Sequence, residues 1–299
     1  MQKDLPELFD RTFKFLITRL SRPAVIAAIN GLFHTEYAAD TPVNYPNTEF
    51  INKALKKKVA DMLVHFGEGS DHLIELQLHA DTQMILRLFD YAYQASKPVP
   101  AQDRHCFSLH FPWIMVIYLE SGPKNETLSL PLHFPGQMSY TYTVNSLTLS
   151  KYNLNDLEER RLYVLMPYLV VSLRKNIKKA DHETREKLTE RLRDLIREIH
   201  QTLNAAVKKG LLTDEDGEKL KAATMMMSRE VYRKYEEFKE VLQMFSLEEW
   251  WDNSPYGKLE KQKLEVEQRL QESERRLQEE RQQRLDLERK LREYEAAGK

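Results

Sequence analysis

The sequence predicts an α/β protein: a mixed sheet flanked by helices over residues 1–150, an all-α helical hairpin over 151–255, and a long charged helix over 256–299. Three observations support this. Strand-like and helix-like apolar periods alternate in the first 150 residues. The period becomes helical from Asn155 and remains so. The last part contains no proline and mixes both signs of charge, which is typical of an exposed helix or a coiled coil.

The bulk composition limits the function classes. The 299 residues are 30% charged with a net charge of -1, so any contact with a polyanion needs a local basic patch. Cys106 is the only cysteine, which excludes an intramolecular disulfide and suits a reducing compartment. The start "MQKDLPELFDRTFKFL" is too charged for a signal peptide, and "FPWIMVIYL" is too short for a membrane span. We therefore expect a cytoplasmic protein without membrane association.

Apolar spacing predicts the elements of the first domain. Helices are expected over 5–20, from Pro23 onward and over 81–95. A buried strand is expected over 106–119, with Pro112 at its start or at a bulge. Two half-exposed strands are expected in "LSLPLHF" and "MSYTYTVNSLTLS".

The later residues predict helices. One begins near Asn155 and continues through "LMPYLVVSLRK" with a kink at Pro167. Two amphipathic helices, 183–208 and 214–245, are joined at Gly210, with Thr213 as the second N-cap. The tail has a partly apolar 3-4 repeat over 259–294, which fits either a coiled coil or a solitary salt-bridged helix.

The stretch "KKKVADMLVHFGEGSDHLIELQ", residues 56–77, predicts two strands around a Gly-rich turn. Each strand has one apolar face, and Asp61, Glu75 and Gln77 lie on the other faces. With a turn at 67–70, paired positions sum to about 137, which places Asp61 beside Glu75 and Gln77. Two carboxylates in a buried strand pair need a shared proton or a cation, and Mg²⁺ prefers oxygen ligands. The alternative is a pair of polar residues at the rim of a half-exposed sheet.

The helix after this hairpin places Arg87 and Tyr91 on one face, one turn apart. A guanidinium beside a carboxylate site is suited to bidentate phosphate contact. The alternative is a structural salt bridge from Arg87 to Asp61, Glu75 or Asp90.

Other motifs are less informative. Of three nearby histidines only His65 and His79 share the acidic face, and there is neither a second cysteine nor a close histidine pair, so we expect no zinc site. The basic run at 53–58, which includes Lys57, is either a solvated face or a phosphate contact.

The order of several short motifs resembles one branch of the PD-(D/E)XK nucleases, the recombination-promoting nucleases and transposase-like proteins. An Asp followed about fourteen residues later by Glu-x-Lys on adjacent strands, with a helix behind, is the superfamily pattern. The matching pieces are "DRTFK", "NTE", "ADM", "IELQ", "MILRLFDY", "PWIMVIYL", "LHFPGQMSYTYTV" and "LMPYLV". The resemblance covers roughly residues 8–175. It implies a restriction-endonuclease-like fold and a DNA endonuclease that uses Mg²⁺, with Mn²⁺ as a possible substitute.

The resemblance also implies site roles. Asp61 and Glu75 would hold the metal with the backbone carbonyl of Leu76, and the metal would activate water. Gln77 stands where the superfamily has lysine, and a neutral amide can orient water but supplies no positive charge. Lys14, from the first helix, is our candidate to replace that charge.

Substrate and partner expectations follow from the same resemblance. Arg87, Tyr91 and Lys57 would contact DNA, and the helical C-terminal half would form a homodimer, since cutting both strands is easiest with two sites. One alternative is a decayed nuclease fold that serves as a protein-interaction or DNA-binding module, which the Gln77 position favours. An RNA nuclease would leave the same sequence pattern. Transposition, genome maintenance and phage defence are all compatible settings.

Overall fold

The structure is a computed structural model. It describes residues 4–46, 49–51, 57–59, 62–66, 70–96, 98–100, 107–177, 180–244 and 269. The chain forms two compact units, Met1–Leu247 and Glu248–Lys299. The predicted domain boundary at residue 150 falls inside the first unit. Apart from residue 269, the predicted coiled coil lies outside the described residues, and so does Cys106. No helix in the described part of the chain is long and apolar enough to cross a membrane.

The described strands and helices alternate through the first half of the chain, and helices follow. The strands are β1 Val43–Asn44, β2 Glu49–Ile51, β3 Lys57–Val59, β4 Met62–Phe66, β5 Ser70–His79, β6 Pro98–Pro100, β7 Phe107–Leu109, β8 Trp113–Ser121, β9 Thr127–Leu132 and β10 Tyr140–Thr148. The α-helices are α1 Asp4–Arg19, α2 Arg22–Phe33, α3 Met84–Ala95, α4 Leu154–Glu159, α5 Arg174–Ile177, α6 His182–Lys208, α7 Asp214–Tyr232 and α8 Lys239–Met244. The 3-10 helices are Leu149–Lys151, Tyr163–Leu173 and Glu236–Phe238.

A six-stranded mixed sheet forms the centre, in the order β1-β4-β5-β8-β10-β9. The strand β5 pairs antiparallel with β4 and parallel with β8, so it is a central strand. The other parallel pair is β8 with β10, and β9 returns antiparallel to β10. Two small hairpins, β2–β3 and β6–β7, lie outside this sheet. The α/β class and the flanking helices that we predicted are confirmed.

Helices cover both faces of the sheet. On one face, α3 packs Met84 and Leu88 into a buried cluster with Leu73 of β5 and Val116 of β8. On the other face, Phe33 of α2 contacts the ring of His72 at 4.6 Å. Because side chains alternate along a strand, successive residues of β5 enter two different cores.

The predicted helix does begin near Asn155, but its continuation through Pro167 as one kinked α-helix is wrong. Helix α4 ends at Glu159, and Arg161 adopts a left-handed conformation with φ of 55°. The amide of Leu162 then donates to the carbonyl of Leu157 at 2.8 Å, which closes the helix end. Residues 163–173 continue as a buried 3-10 helix around Pro167, a residue that cannot donate an α-helical hydrogen bond.

The two later amphipathic helices are confirmed as α6 and α7. They meet at Gly210, whose φ of 70° is a conformation that glycine adopts without strain. Thr213 caps α7 by accepting a hydrogen bond from the amide of Asp216 at 3.1 Å. The second helix is shorter than predicted, because the chain turns after Tyr232 and resumes as a 3-10 helix and α8.

A buried ion pair joins the sheet to these helices. Arg174 of α5 donates to a carboxylate oxygen of Glu120, near the end of β8, at 2.9 Å, and both side chains are under 10% exposed. His79 lies 3.5 Å from the other oxygen of Glu120. The hydroxyl of Tyr232 donates to the carbonyl of Val170 nearby, and burial raises the pKa of that phenol. The contact therefore depends on buried polar groups as well as on apolar packing.

Glu120→Gln is expected to lower the free energy of unfolding by about 3 kcal/mol, because it leaves the Arg174 guanidinium buried without a counter-charge. Urea denaturation measures the change. Lys187→Ala removes an exposed ion pair to Glu183 and should change stability by less than about 0.5 kcal/mol. A loss for Glu120→Gln no larger than the Lys187→Ala effect would contradict a structural role for the buried pair.

His72 is buried among aromatic rings on the face opposite α3. Phe33, Tyr37 and Phe66 all lie edge-on to the imidazole, with ring centroids 4.6–5.6 Å away. Burial lowers the pKa of His72 to about 4, although the backbone of Ser70 and the charge of Asp71 act in the opposite direction. The folded protein therefore holds His72 neutral.

Unfolding should become easier as the pH falls from about 6.5 to about 4, because the unfolded chain then protonates His72 and the folded chain does not. Because of this residue, the free energy of unfolding should be about 3 kcal/mol lower at pH 4 than above pH 6.5. His72→Leu should reduce the proton uptake on unfolding by about one.

Urea denaturation at a series of pH values gives that uptake as the slope of stability against pH. His200, whose pKa burial also lowers to about 4, keeps its own contribution in the variant. An unchanged slope in His72→Leu would show that His72 titrates normally in the folded protein.

Candidate functional site

The antiparallel pairing of the two predicted hairpin strands is confirmed. Met62 pairs with Ile74 and Phe66 pairs with Ser70, so paired positions sum to 136, one less than expected. Asp61, which precedes Met62, lies outside the described residues.

Glu75 lies in the middle of β5, opposite Val116 of β8, and is 3% exposed. Leu73, two residues earlier, packs under α3, so alternation places Glu75 and Gln77 on that same face. A buried carboxylate needs hydrogen bonds or a cation to offset its lost hydration. Leu76 points to the opposite face and pairs with Ile117, so the proposed metal ligand is its backbone carbonyl.

Gln77 lies where the ladder becomes irregular. It pairs with Tyr118, and the register between β5 and β8 shifts between Gln77 and His79. Such a bulge bends the strand and re-aims its side chains. The half-buried amide of Gln77 is therefore at the end of the regular sheet, where α3 begins.

Helix α3 brings Arg87 and Tyr91 over the face that holds Glu75 and Gln77. Tyr91 is 7% exposed and belongs to the apolar cluster under the helix. One guanidinium nitrogen of Arg87 lies 3.3 Å from Asp81, and another donates to the sulfur of Met84 at 3.4 Å. The salt-bridge alternative for Arg87 is thus present with Asp81 as a partner, whereas Asp61, one of the acids that we named, lies outside the described residues.

Tyr118 and Asp81 are members of this cluster that the sequence interpretation missed. Tyr118 is fully buried, and its hydroxyl has no hydrogen-bond partner among the residues that the structure describes. Burial and the charge of Asp81 raise the pKa of Tyr118, whereas Arg87 acts to lower it, so all three lie close together. Tyr118 stands in a continuous apolar run, and only the parallel register of β8 shows that it adjoins Gln77.

Lys14 is bound to its own helix. Its ammonium lies 3.0 Å from Asp10, one turn earlier on α1, and α1 packs against β5. No described contact joins Lys14 to Glu75 or Gln77, so its part in the site stays a prediction. Lys57 pairs with Ile51 in the β2–β3 hairpin, and its side chain lies outside the described residues.

The metal prediction depends on Asp61. Within the described ranges, no group of three or more histidine, cysteine, aspartate or glutamate side chains could hold a metal ion. Glu75 and the carbonyl of Leu76 are oxygen donors, which fits a hard divalent ion, but two donors alone do not make a site. The three histidines have separate surroundings: His65 bonds Asp71 at 2.5 Å, His72 lies among aromatic rings, and His79 contacts Ser121.

Comparison with known proteins places the chain in a family. A family model described as "Putative transposase, YhgA-like" matches residues 40–207, more than half of the chain. The match contains the central sheet, α3 and most of α6, whereas Lys14 precedes it. No curated protein and no solved structure matches the chain. Glu75, Gln77, Arg87 and Tyr91 all lie inside the matched range. Because the match covers more than half of the chain, the chain belongs to the YhgA-like transposase family.

Proposed function

We propose that this transposase-family protein is a metal-dependent DNA endonuclease of the PD-(D/E)XK type, which hydrolyses phosphodiester bonds. The main support is the burial of Glu75 on the central strand, on the face where α3 presents Arg87 and Tyr91. A carboxylate can hold a metal ion and a guanidinium can contact a phosphate, and such hydrolysis uses both groups. The family match supports a transposase-like role at a coarser level.

In this proposal, Asp61, Glu75 and the carbonyl of Leu76 hold Mg²⁺, for which Mn²⁺ can substitute. A bound ion of this kind supplies an activated water and stabilises charge on the phosphoryl oxygens. Asp61 is covalently next to Met62, which pairs with Ile74, the neighbour of Glu75. That adjacency is why we keep Asp61 as the second carboxylate.

The other side chains bind and orient the substrate. Gln77 orients water through its amide, and Lys14 supplies positive charge after leaving Asp10. Arg87 contacts a phosphate of the DNA by exchanging Asp81 for the phosphate oxygens, a geometry that a guanidinium fits bidentately. Tyr91 supports Arg87 from one turn away, and Lys57 contacts the backbone of the DNA.

A second candidate function is a decayed nuclease that binds DNA or protein without cutting. The specific observation in its favour is Gln77, a neutral side chain at the position where the superfamily has lysine. The pairing of Arg87 with Asp81 also favours it, because that pair is complete without substrate.

Supercoiled plasmid cleavage with Mg²⁺ or Mn²⁺ tests the nuclease. Asp61→Ala and Glu75→Ala should each reduce the rate by at least about 100-fold, because each removes a metal ligand. Asp194→Ala, which removes an exposed carboxylate from an ion pair with Arg197, should cut like the wild type. Circular dichroism checks that all three variants are folded.

Two outcomes would reject the nuclease assignment. Cleavage that survives both changes would point to a different site or to a contaminant. Absence of cleavage by the wild type, together with no rise in melting temperature on addition of Mg²⁺, would favour the decayed-nuclease alternative.

Asp81→Asn tests the exchange at Arg87 through DNA affinity. Removing the competing carboxylate should tighten binding several-fold and make the slope of log affinity against log salt steeper by about one phosphate contact. Arg87→Ala should weaken binding and flatten the same slope. Fluorescence anisotropy of a labelled duplex in a salt series measures both.

Asp194→Asn is the matched control, because it releases Arg197 from a comparable exposed pair, 3.1 Å long, outside the site. Equal effects of Asp81→Asn and Asp194→Asn would mean that only the net charge of the protein matters. The guanidinium of Arg87 would then have no direct phosphate contact.

A further inference from the structure

The β9–β10 hairpin exposes large apolar side chains that no part of the proposed nuclease site uses. Three of them are Phe134, Met138 and Tyr140, which are 47%, 75% and 63% exposed. Leu130 and Leu132 of β9 are half-buried and pair with Tyr142 and Tyr140. We call these five residues, Leu130, Leu132, Phe134, Met138 and Tyr140, the hairpin surface.

The hairpin surface is continuous with the apolar cluster under α3. Tyr142 lies opposite Leu130, and its ring contacts Phe89 of α3 at 5.3 Å and Phe111 at 6.0 Å. Because alternate residues of a strand share a face, Tyr140 lies on the same side of the sheet as Tyr142. The hairpin surface therefore continues the apolar cluster under α3 outward, and its large side chains are exposed to solvent.

Hydrogen bonds close the turn of the hairpin. Pro135 and Gly136 form its turn, in which the amide of Gln137 donates to the carbonyl of Phe134 at 3.0 Å and Gly136 has a φ of 74°. Below the turn, His133 and Ser139 are joined by a side-chain hydrogen bond of 2.9 Å. A turn that is already closed by hydrogen bonds loses less conformational entropy when a partner binds it.

Strand addition to this hairpin is partly blocked. The amide of Ser146 donates to the carbonyl of Glu126. In this antiparallel pair, the backbone amides and carbonyls of the even-numbered residues of β9 therefore point toward β10. The outward backbone groups of this edge strand therefore belong to Thr127, Ser129 and Pro131. Pro131 has no amide hydrogen to donate to an added strand. A partner is expected to bind the side-chain face of the hairpin and not its edge.

The charge pattern selects the kind of partner. Residues 127–150 contain no Asp, Glu, Lys or Arg, although 30% of the whole chain is charged. The surface lacks the Lys and Arg side chains that supply most of the affinity for a nucleic-acid backbone, which favours a protein partner. In a two-fold symmetric contact a patch meets a copy of itself, and a patch without charges does so without like-charge repulsion.

The exposed area is of the right order for such a contact. Phe134, Met138 and Tyr140 together expose roughly 370 Å², taking about 200 Å² per large side chain. A standard interface buries about 800 Å² per partner, so these side chains would form its apolar centre. A patch of this size is within the range of the largest apolar patch on a monomer, which is often a functional surface.

We propose that the hairpin surface is a homodimer interface, in which the β9–β10 hairpin of one copy packs face to face against that of a second copy. This interface is separate from the C-terminal helical half, where the sequence interpretation placed the dimer. Because the proposed interface adjoins the cluster under α3, the dimer would hold its two candidate nuclease sites at a fixed distance and orientation.

Sedimentation equilibrium of the full chain tests the proposal. The wild type should show a reversible monomer–dimer equilibrium, and Met138→Glu and Tyr140→Glu should each raise its dissociation constant at least tenfold, because each would bury a charge. Val99→Glu places the same charge at an exposed apolar position of β6, 48% exposed, and should leave the constant unchanged. A wild type that stays monomeric at every concentration, or variants with an unchanged constant, would overturn the proposal.

Hydrogen exchange of the wild type tests the interface without any substitution that could affect folding. Amides of residues 127–142 should exchange more slowly at a concentration where the dimer dominates than at one where the monomer does. Protection gained only in residues 248–299 would assign the dimer to the tail and overturn the proposal. Protection gained in neither region, in a protein that does dimerise, would overturn it as well.

Discussion

The structure depends on the double pairing of β5. This strand bonds β4 on one side and β8 on the other, antiparallel and parallel respectively. With both edges paired and both faces covered, every side chain of its middle section must enter a core. Leu73 and Glu75 enter the core under α3, whereas His72 and Ile74 enter the opposite one. A shift of one residue in either register would exchange these two sets and bring the carboxylate to the wrong face.

That constraint explains why ionisable groups are buried in this protein. Glu75 is held inside because the strand that bears it is central, and Arg174 because its partner Glu120 ends a buried strand. His72 stays neutral among aromatic rings for the same reason. Such groups cost stability unless they are paired or neutral, and in this protein Arg174 is paired with Glu120 and His72 is neutral.

The proposed nuclease site and the proposed dimer interface share the layer between α3 and the sheet. Phe89, Tyr142 and Phe111 form a bridge of ring contacts from α3 to the β9–β10 hairpin. Arg87 lies on the same helix and is held by Asp81 near its beginning. A partner on the hairpin would therefore pack beside the helix that carries Arg87, and two of the proposed nuclease sites would suit cleavage of both strands of a duplex.

Local sequence determined much of this protein. Apolar alternation was sufficient for β4, β5, β9 and β10, for the pairing of β4 with β5 and for the face shared by Glu75 and Gln77, because these features follow from a period of two and a short turn. The N-cap at Thr213 and the break at Gly210 could also be predicted from local sequence.

Tertiary structure alone decided the other features. Tyr118 came beside Gln77, and Arg174 came beside Glu120, through contacts between segments distant in the chain. The break at Arg161 likewise depends on its surroundings, since Arg160 donates to the carbonyl of Gly31 at 2.9 Å. Register between parallel strands and contacts between distant segments have no local sequence pattern, because they are selected by the packing of the whole core.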